Sequence, residues 1–123
     1  TESMEAVYRQ NFVLPENGPE SEDGSIYDPD PSKTDFPTYK ESVFYYTYGN
    51  VGMIVLNSDY WYNSTQQYIR YTSSNLHGYI MHNQLEWLGK TLEMFEKDDK
   101  IDHLFVTLHT PAFPMHFAWV KNV

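Results

Sequence analysis

Residues 102 to 116 read Asp102-His103-Leu104-Phe105-Val106-Thr107-Leu108-His109-Thr110-Pro111-Ala112-Phe113-Pro114-Met115-His116, an apolar run delivered into a histidine and two prolines. Only Thr107 dilutes the run from Leu104 to Leu108. The stretch 102–109 is therefore expected as a strand buried on both faces inside a parallel sheet. Pro111 and Pro114 cannot continue the pairing, so the chain turns into a loop at that point. His109 is then the first polar side chain past the carboxyl end of the strand, where open α/β sheets bind their ligands.

Working upstream, Leu85, Leu88, Leu92 and Phe95 fall at spacings of three, four and three, with charged residues between them. This predicts a helix over 83–98 that turns those four residues and Trp87 toward the core. Asn83, followed by Glu86 three positions on, reads as its capping box. The preceding segment 58–82 is an aromatic, amide-rich loop. Its His77 and His82 are expected as ordinary surface residues, and Asn63-Ser64-Thr65 matches a glycosylation sequon that matters only in a secreted eukaryotic chain. Before it, Val43 to Tyr48 are strand formers, Gly49-Asn50 is a two-residue turn with glycine first, and Val51 to Leu56 is strand-like again. A β-hairpin over 42–57 follows, with the continuously apolar second arm more central. A strand, a connection carrying a helix and a second strand form a right-handed crossover, so 51–56 and 103–108 are expected to run parallel. Their polar exits, Asn57-Ser58-Asp59 and His109, would then share one edge of the sheet.

At the amino end, Met4, Val7, Tyr8 and Phe12 mark a short amphipathic helix within 1–13, with Ser3 in position to cap it. The acidic loop 14–41 shows no periodicity; Pro15 to Pro37 alone contain five prolines and two glycines. The length of 123 residues suits one domain, and the net charge of -9 is concentrated in residues 1–41, which hold ten Asp/Glu against three Lys/Arg. That balance repels phosphate backbones and anionic lipid, which makes nucleic acid and membrane surfaces poor partners unless a metal supplies positive charge, and no nucleic-acid partner is expected. No apolar run reaches the roughly 18 residues of a membrane span. Without cysteine there is no disulfide framework and no thiolate chemistry. Aromatic residues make up 17% of the chain, enough that part of this surface is expected in a binding face. Thr1 is not an initiator and Val123 closely follows an apolar stretch, so both ends are expected to be cut from something longer.

The blocks Tyr45-Tyr46-Thr47-Tyr48-Gly49-Asn50-Val51, Ile54-Val55-Leu56-Asn57-Ser58, Gln84-Leu85-Glu86-Trp87-Leu88 and Leu104-Phe105-Val106-Thr107-Leu108-His109-Thr110-Pro111 occur in an order that resembles the later half of the calcineurin-like metallophosphoesterases, close to the purple-acid-phosphatase-like branch. Tyr8-Arg9-Gln10-Asn11-Phe12 with Leu14 to Pro19 is similar to the segment those proteins carry ahead of the hairpin. The long acidic loop and residues 60–80 match nothing in them. The resemblance implies part of a β-sandwich flanked by helices, on which two metal ions, divalent or mixed-valence Mn, Fe or Zn, hydrolyse phosphate esters. His109 matches the family's single histidine after a buried strand, a metal ligand. The Asp-x-His, Gly-Asp-x-x-Asp, Gly-Asn-His-Asp/Glu and Gly-His-x-His motifs that complete the family's site are absent, and would lie before Thr1 and after Val123. Members of this branch are often exported, so a periplasmic or secreted home is implied.

Paired cations clamp a phosphate and lower the pKa of bridging water, and neutral imidazole suits Zn, Fe or Mn. One imidazole does not hold such a centre, so the isolated chain is expected to be inactive and metal-free. Asn57, Asp59, Tyr60, Trp61 and His116 are the candidates for lining the substrate cleft. Against this, His109 could be a hydrogen-bonded strand-end residue, and Asp59 a solvated turn acid. Two other readings stand beside the enzyme. One is a non-catalytic α/β binding module whose aromatic loop 60–71 holds sugar or protein; the other is a scaffold that has lost catalysis.

Overall fold

The computed structural model describes residues 4–34, 36–60 and 79–110. In chain order the elements are α1 (Met4–Asn11), β1 (Phe44–Tyr48), β2 (Val51–Val55), α2 (His82–Glu96) and β3 (His103–Thr107). The chain is thus mixed α/β, built on a three-stranded sheet of order β1-β2-β3. Ser3, expected as the cap of α1, lies outside the described residues.

The hairpin forms as its turn chemistry requires. Gly49 sits at φ 60°, the left-handed conformation that a tight β-turn demands and glycine adopts freely. β1 and β2 pair antiparallel from Phe44↔Val55 to Tyr48↔Val51, and β2 is the central strand. β2 and β3 pair parallel from Val51↔His103 to Val55↔Thr107. The turn is also tied to the start of β3: Asn50 O accepts from the backbone N–H of Asp102 at 2.9 Å, and Asn50 Nδ2 donates to Asp102 Oδ2 at 2.7 Å.

Alternation along the strands sends Tyr45, Gly52, Ile54, Leu104 and Val106 to one face and Phe44, Tyr46, Met53 and Phe105 to the other. α2 covers the first face over β1 and β2. Its Phe95 ring meets Tyr45 edge-on at 5.4 Å between centroids, and Trp87 stacks on Tyr45 at 6.3 Å. A Cβ on Gly52 would stand 2.9 Å from both Phe95 and Leu104, so glycine is what lets the helix approach this closely.

Four expectations are corrected here. β3 is exposed at all five positions, where the apolar run predicted burial on both faces. It is an edge strand, and among the described residues nothing pairs its outer side or covers Phe105, which is 56% exposed. The inward stripe of α2 is Gln84, Leu88, Thr91 and Phe95, while Leu85 and Leu92 face outward. The helix therefore points a rotated face at the sheet, and His82 opens it instead of lying in a loop. Its N-cap is Met81, which makes no side-chain cap hydrogen bond, so Asn83 and Glu86 do not form a capping box.

The cap comes instead from far away in sequence. Glu22, fully buried, accepts from Asn83 N (Oε2, 3.1 Å) and Gln84 N (Oε1, 3.1 Å) at the amino end of α2. Unpaired first-turn N–H groups and the helix dipole both favour an anion at that position. The Tyr39 hydroxyl also donates to Glu22 Oε1 at 2.8 Å. Tyr39 in turn stacks on Tyr60, with centroids 4.0 Å apart. The core gathers Tyr39, Val43, Ile54, Leu56, Tyr60, Met81 and Phe95. The acidic loop 14–41 is consequently tied into the core through Glu22 and Tyr39, although its described residues form neither helix nor strand. Asn17 from the same loop pairs the outer edge of β1, donating to Tyr45 O and accepting from Tyr45 N, both at 2.9 Å.

Candidate functional site

The rim of the sheet begins where β2 and β3 end side by side. Leu56 N donates to Thr107 O at 2.9 Å, carrying the parallel pairing one residue past β2. Beyond that, Ser58, only 1% exposed, accepts from Thr110 N through its Oγ at 3.1 Å, so the two exits are joined directly. Asn57 Oδ1 accepts from Asp59 N at 3.0 Å, and this Asx turn bends the first exit away from the strand direction. Ser58 Oγ also lies 3.4 Å from Asp59 Oδ2. Asn57 and Asp59 are half-buried and His109 is exposed, so an imidazole, an amide and a carboxylate come from adjoining segments at one edge.

Gln84 places Asn57. Its side-chain amide accepts from Asn57 N at 2.8 Å and donates to Asn57 O at 3.0 Å, the paired contacts a neighbouring strand would make. Sequence reasoning named Ser58 in the first exit and Gln84 in a block of the resemblance without giving either a role, and passed over Glu22 and Tyr39. A signal existed for Gln84, which lies four residues before Leu88 on the inward stripe of α2. None existed for Glu22, one acid among the ten of residues 1–41.

Tyr60 is a correction to the expected cleft lining. It is 6% exposed, and its hydroxyl donates to Pro37 O and accepts from Glu22 N, so it is a core residue committed to the acidic loop. Trp61 and His116, and nearly all of the aromatic loop 60–71, lie outside the described residues. His103 stands at the start of β3, at the far end of the sheet from His109. A cleft of about 360 Å³ opens at that far end, lined by Leu92, Phe95, Ile101, His103 and Leu104 among others. It shares none of the rim residues.

Burial, followed by the Glu22 carboxylate, pushes the Tyr39 phenol well above its ordinary range and keeps it a donor. No group of three or more His, Cys, Asp or Glu positioned to hold a metal ion occurs among the described residues. A dinuclear centre needs several donors per ion, and the described residues bring no such set together. The class defined by the fold is a mixed α/β unit with a polar rim at the end of a parallel strand pair. No family model, curated protein or solved structure matches the chain.

Proposed function

We propose that residues 1–123 belong to a longer metal-dependent phosphoesterase, in which His109 supplies one imidazole ligand to a two-metal centre that hydrolyses phosphate esters. The observation that supports this reading is the rim itself: parallel exits stitched by Thr110 N and Ser58 Oγ, with His109 exposed beside Asn57 and Asp59. That is the arrangement expected from the ordered blocks around 45–58, 84–88 and 104–111. In this reading the sheet face of Tyr46, Met53 and Phe105, exposed at Tyr46 and Phe105 among the described residues, is the inner face of a β-sandwich whose second layer comes from elsewhere in the protein. Asp59 and Asn57 line the substrate cleft, and the remaining ligands come from outside this chain.

The test is made on the protein expressed from its complete reading frame, assayed with p-nitrophenyl phosphate in the presence of Mn²⁺ or Zn²⁺. His109→Ala is expected to lower kcat/KM by about a hundredfold or more while circular dichroism stays unchanged, because losing a ligand costs more than the 10–100-fold typical of a ligand's supporting partner. The isolated 123-residue chain is expected to give no turnover. Full activity of His109→Ala, or robust turnover by the isolated chain, would overturn the reading.

A further inference from the structure

Both ends of the rim segment 57–60 are fastened to the acidic loop, although the two are far apart in sequence. At the first end, Gln84 pairs both backbone groups of Asn57. Gln84 is itself fixed by Glu22, whose Oε1 accepts from its backbone N–H. At the other end, Tyr60 stacks on Tyr39, and its hydroxyl is shared between Pro37 O and Glu22 N. Glu22, Tyr39 and Gln84 are all 0% exposed. A purely apolar filling would seal this space as well, yet it could not set the direction in which Asn57 leaves β2.

We propose that Glu22 and Gln84 are positioning residues that brace the rim, fixing Asn57 and, through Ser58 and Thr110, the segment that carries His109. The acidic loop is then the outer wall of the site's support and not a spacer. The geometric half of this inference stands on the hydrogen bonds alone. The catalytic half rests on the phosphoesterase reading.

The decisive variant is Gln84→Met, which keeps the side-chain length and the backbone cap while removing both contacts to Asn57. In the 123-residue chain, hydrogen exchange read by NMR should show the Asn57 and Thr110 amides losing about tenfold or more in protection while the slowest amides of β2 keep theirs. Glu22→Gln, which retains one acceptor oxygen, should loosen the same amides by less. In the full-length protein, Gln84→Met should lower kcat by about ten- to hundredfold with KM for p-nitrophenyl phosphate little changed, the signature of a displaced supporting group. Unchanged protection at Asn57 would overturn the brace. Loosened amides with an unchanged kcat would overturn its role in positioning. A wild-type protein that cleaves no phosphate ester would strike the phosphoesterase reading instead, and the exchange data would still decide the brace.

Discussion

Glu22 is an ionisable side chain with no exposed surface, and a buried carboxylate is tolerated only when its oxygens are fully used. Here two first-turn amides and the Tyr39 hydroxyl use them. Tyr39 carries a testable consequence. Its phenol is held above the ordinary value of 10.0, first by burial and then by the neighbouring carboxylate. The folded state therefore keeps a proton that the unfolded chain gives up once pH passes 10.0, so the unfolded state binds fewer protons there and stability falls as pH rises. Below that pH the contribution is complete. Above it the loss is at most about 1.4 kcal/mol per pH unit. Tyr39→Phe should cost about 1–2 kcal/mol near neutrality, where it removes the hydrogen bond to Glu22. The gap from wild type should then narrow as pH climbs beyond about 10. Urea titrations at neutral and alkaline pH read this directly, and two curves that stay parallel would contradict it.

At the level of elements, two glycines mark where the packing is closest, and they differ in what a side chain would strike. A Cβ on Gly18 would stand 1.9 Å from the backbone carbonyl oxygen of Val43, which cannot move without the hairpin. On Gly52 it would meet the ends of Leu104 and Phe95, both at 2.9 Å, and Leu104 has partly open space to swing into. Gly52→Ala should cost about 1–3 kcal/mol by overpacking, and Gly18→Ala clearly more. Thermal or chemical denaturation of the two variants gives the ranking, and a Gly18→Ala no worse than Gly52→Ala would show that the loop packs less rigidly than described.

Much of the framework around these glycines was readable from the chain, because turn chemistry and apolar runs act locally. Gly49-Asn50 fixed the hairpin, and two apolar runs separated by a helical pattern gave the parallel pairing of β2 with β3. The same signals could not tell which way α2 faces. Gln84 and Thr91 are polar yet inward, Gln84 bonding to the Asn57 backbone and Thr91 donating to Trp87 O at 2.8 Å, whereas Leu85 and Leu92 point outward. Periodicity locates a stripe but not what it will meet. Likewise, the composition of β3 speaks of an apolar setting that, among the described residues, surrounds it on one side only. The rim shows the same division: His109 and Asn57–Asp59 were legible at the ends of their strands, but the brace from Glu22, some 60 residues away along the chain, is a tertiary fact.

For the molecule as a whole, the net charge of -9 and the exposed aromatic part of the second sheet face act in opposite directions. Tyr46, Tyr48 and Phe105 are 42%, 83% and 56% exposed on that face, although Phe44 on it is buried, and they lie beside the side of β3 that nothing pairs among the described residues. Contiguous apolar surface next to an open strand edge favours association between copies. Like charge opposes it over a Debye length of about 10 Å at 0.1 M salt and about 3 Å at 1 M. The isolated chain should therefore associate more strongly as salt is raised, the reverse of what an ion-paired contact would show. Phe105→Lys, which places a charge on the exposed edge as natural edge strands do, should leave secondary structure intact and hold the chain monomeric at the same concentration and salt. Sedimentation velocity across a salt series distinguishes the cases. Association that weakens with salt, or that Phe105→Lys leaves unaltered, would mean that contacts between copies form elsewhere.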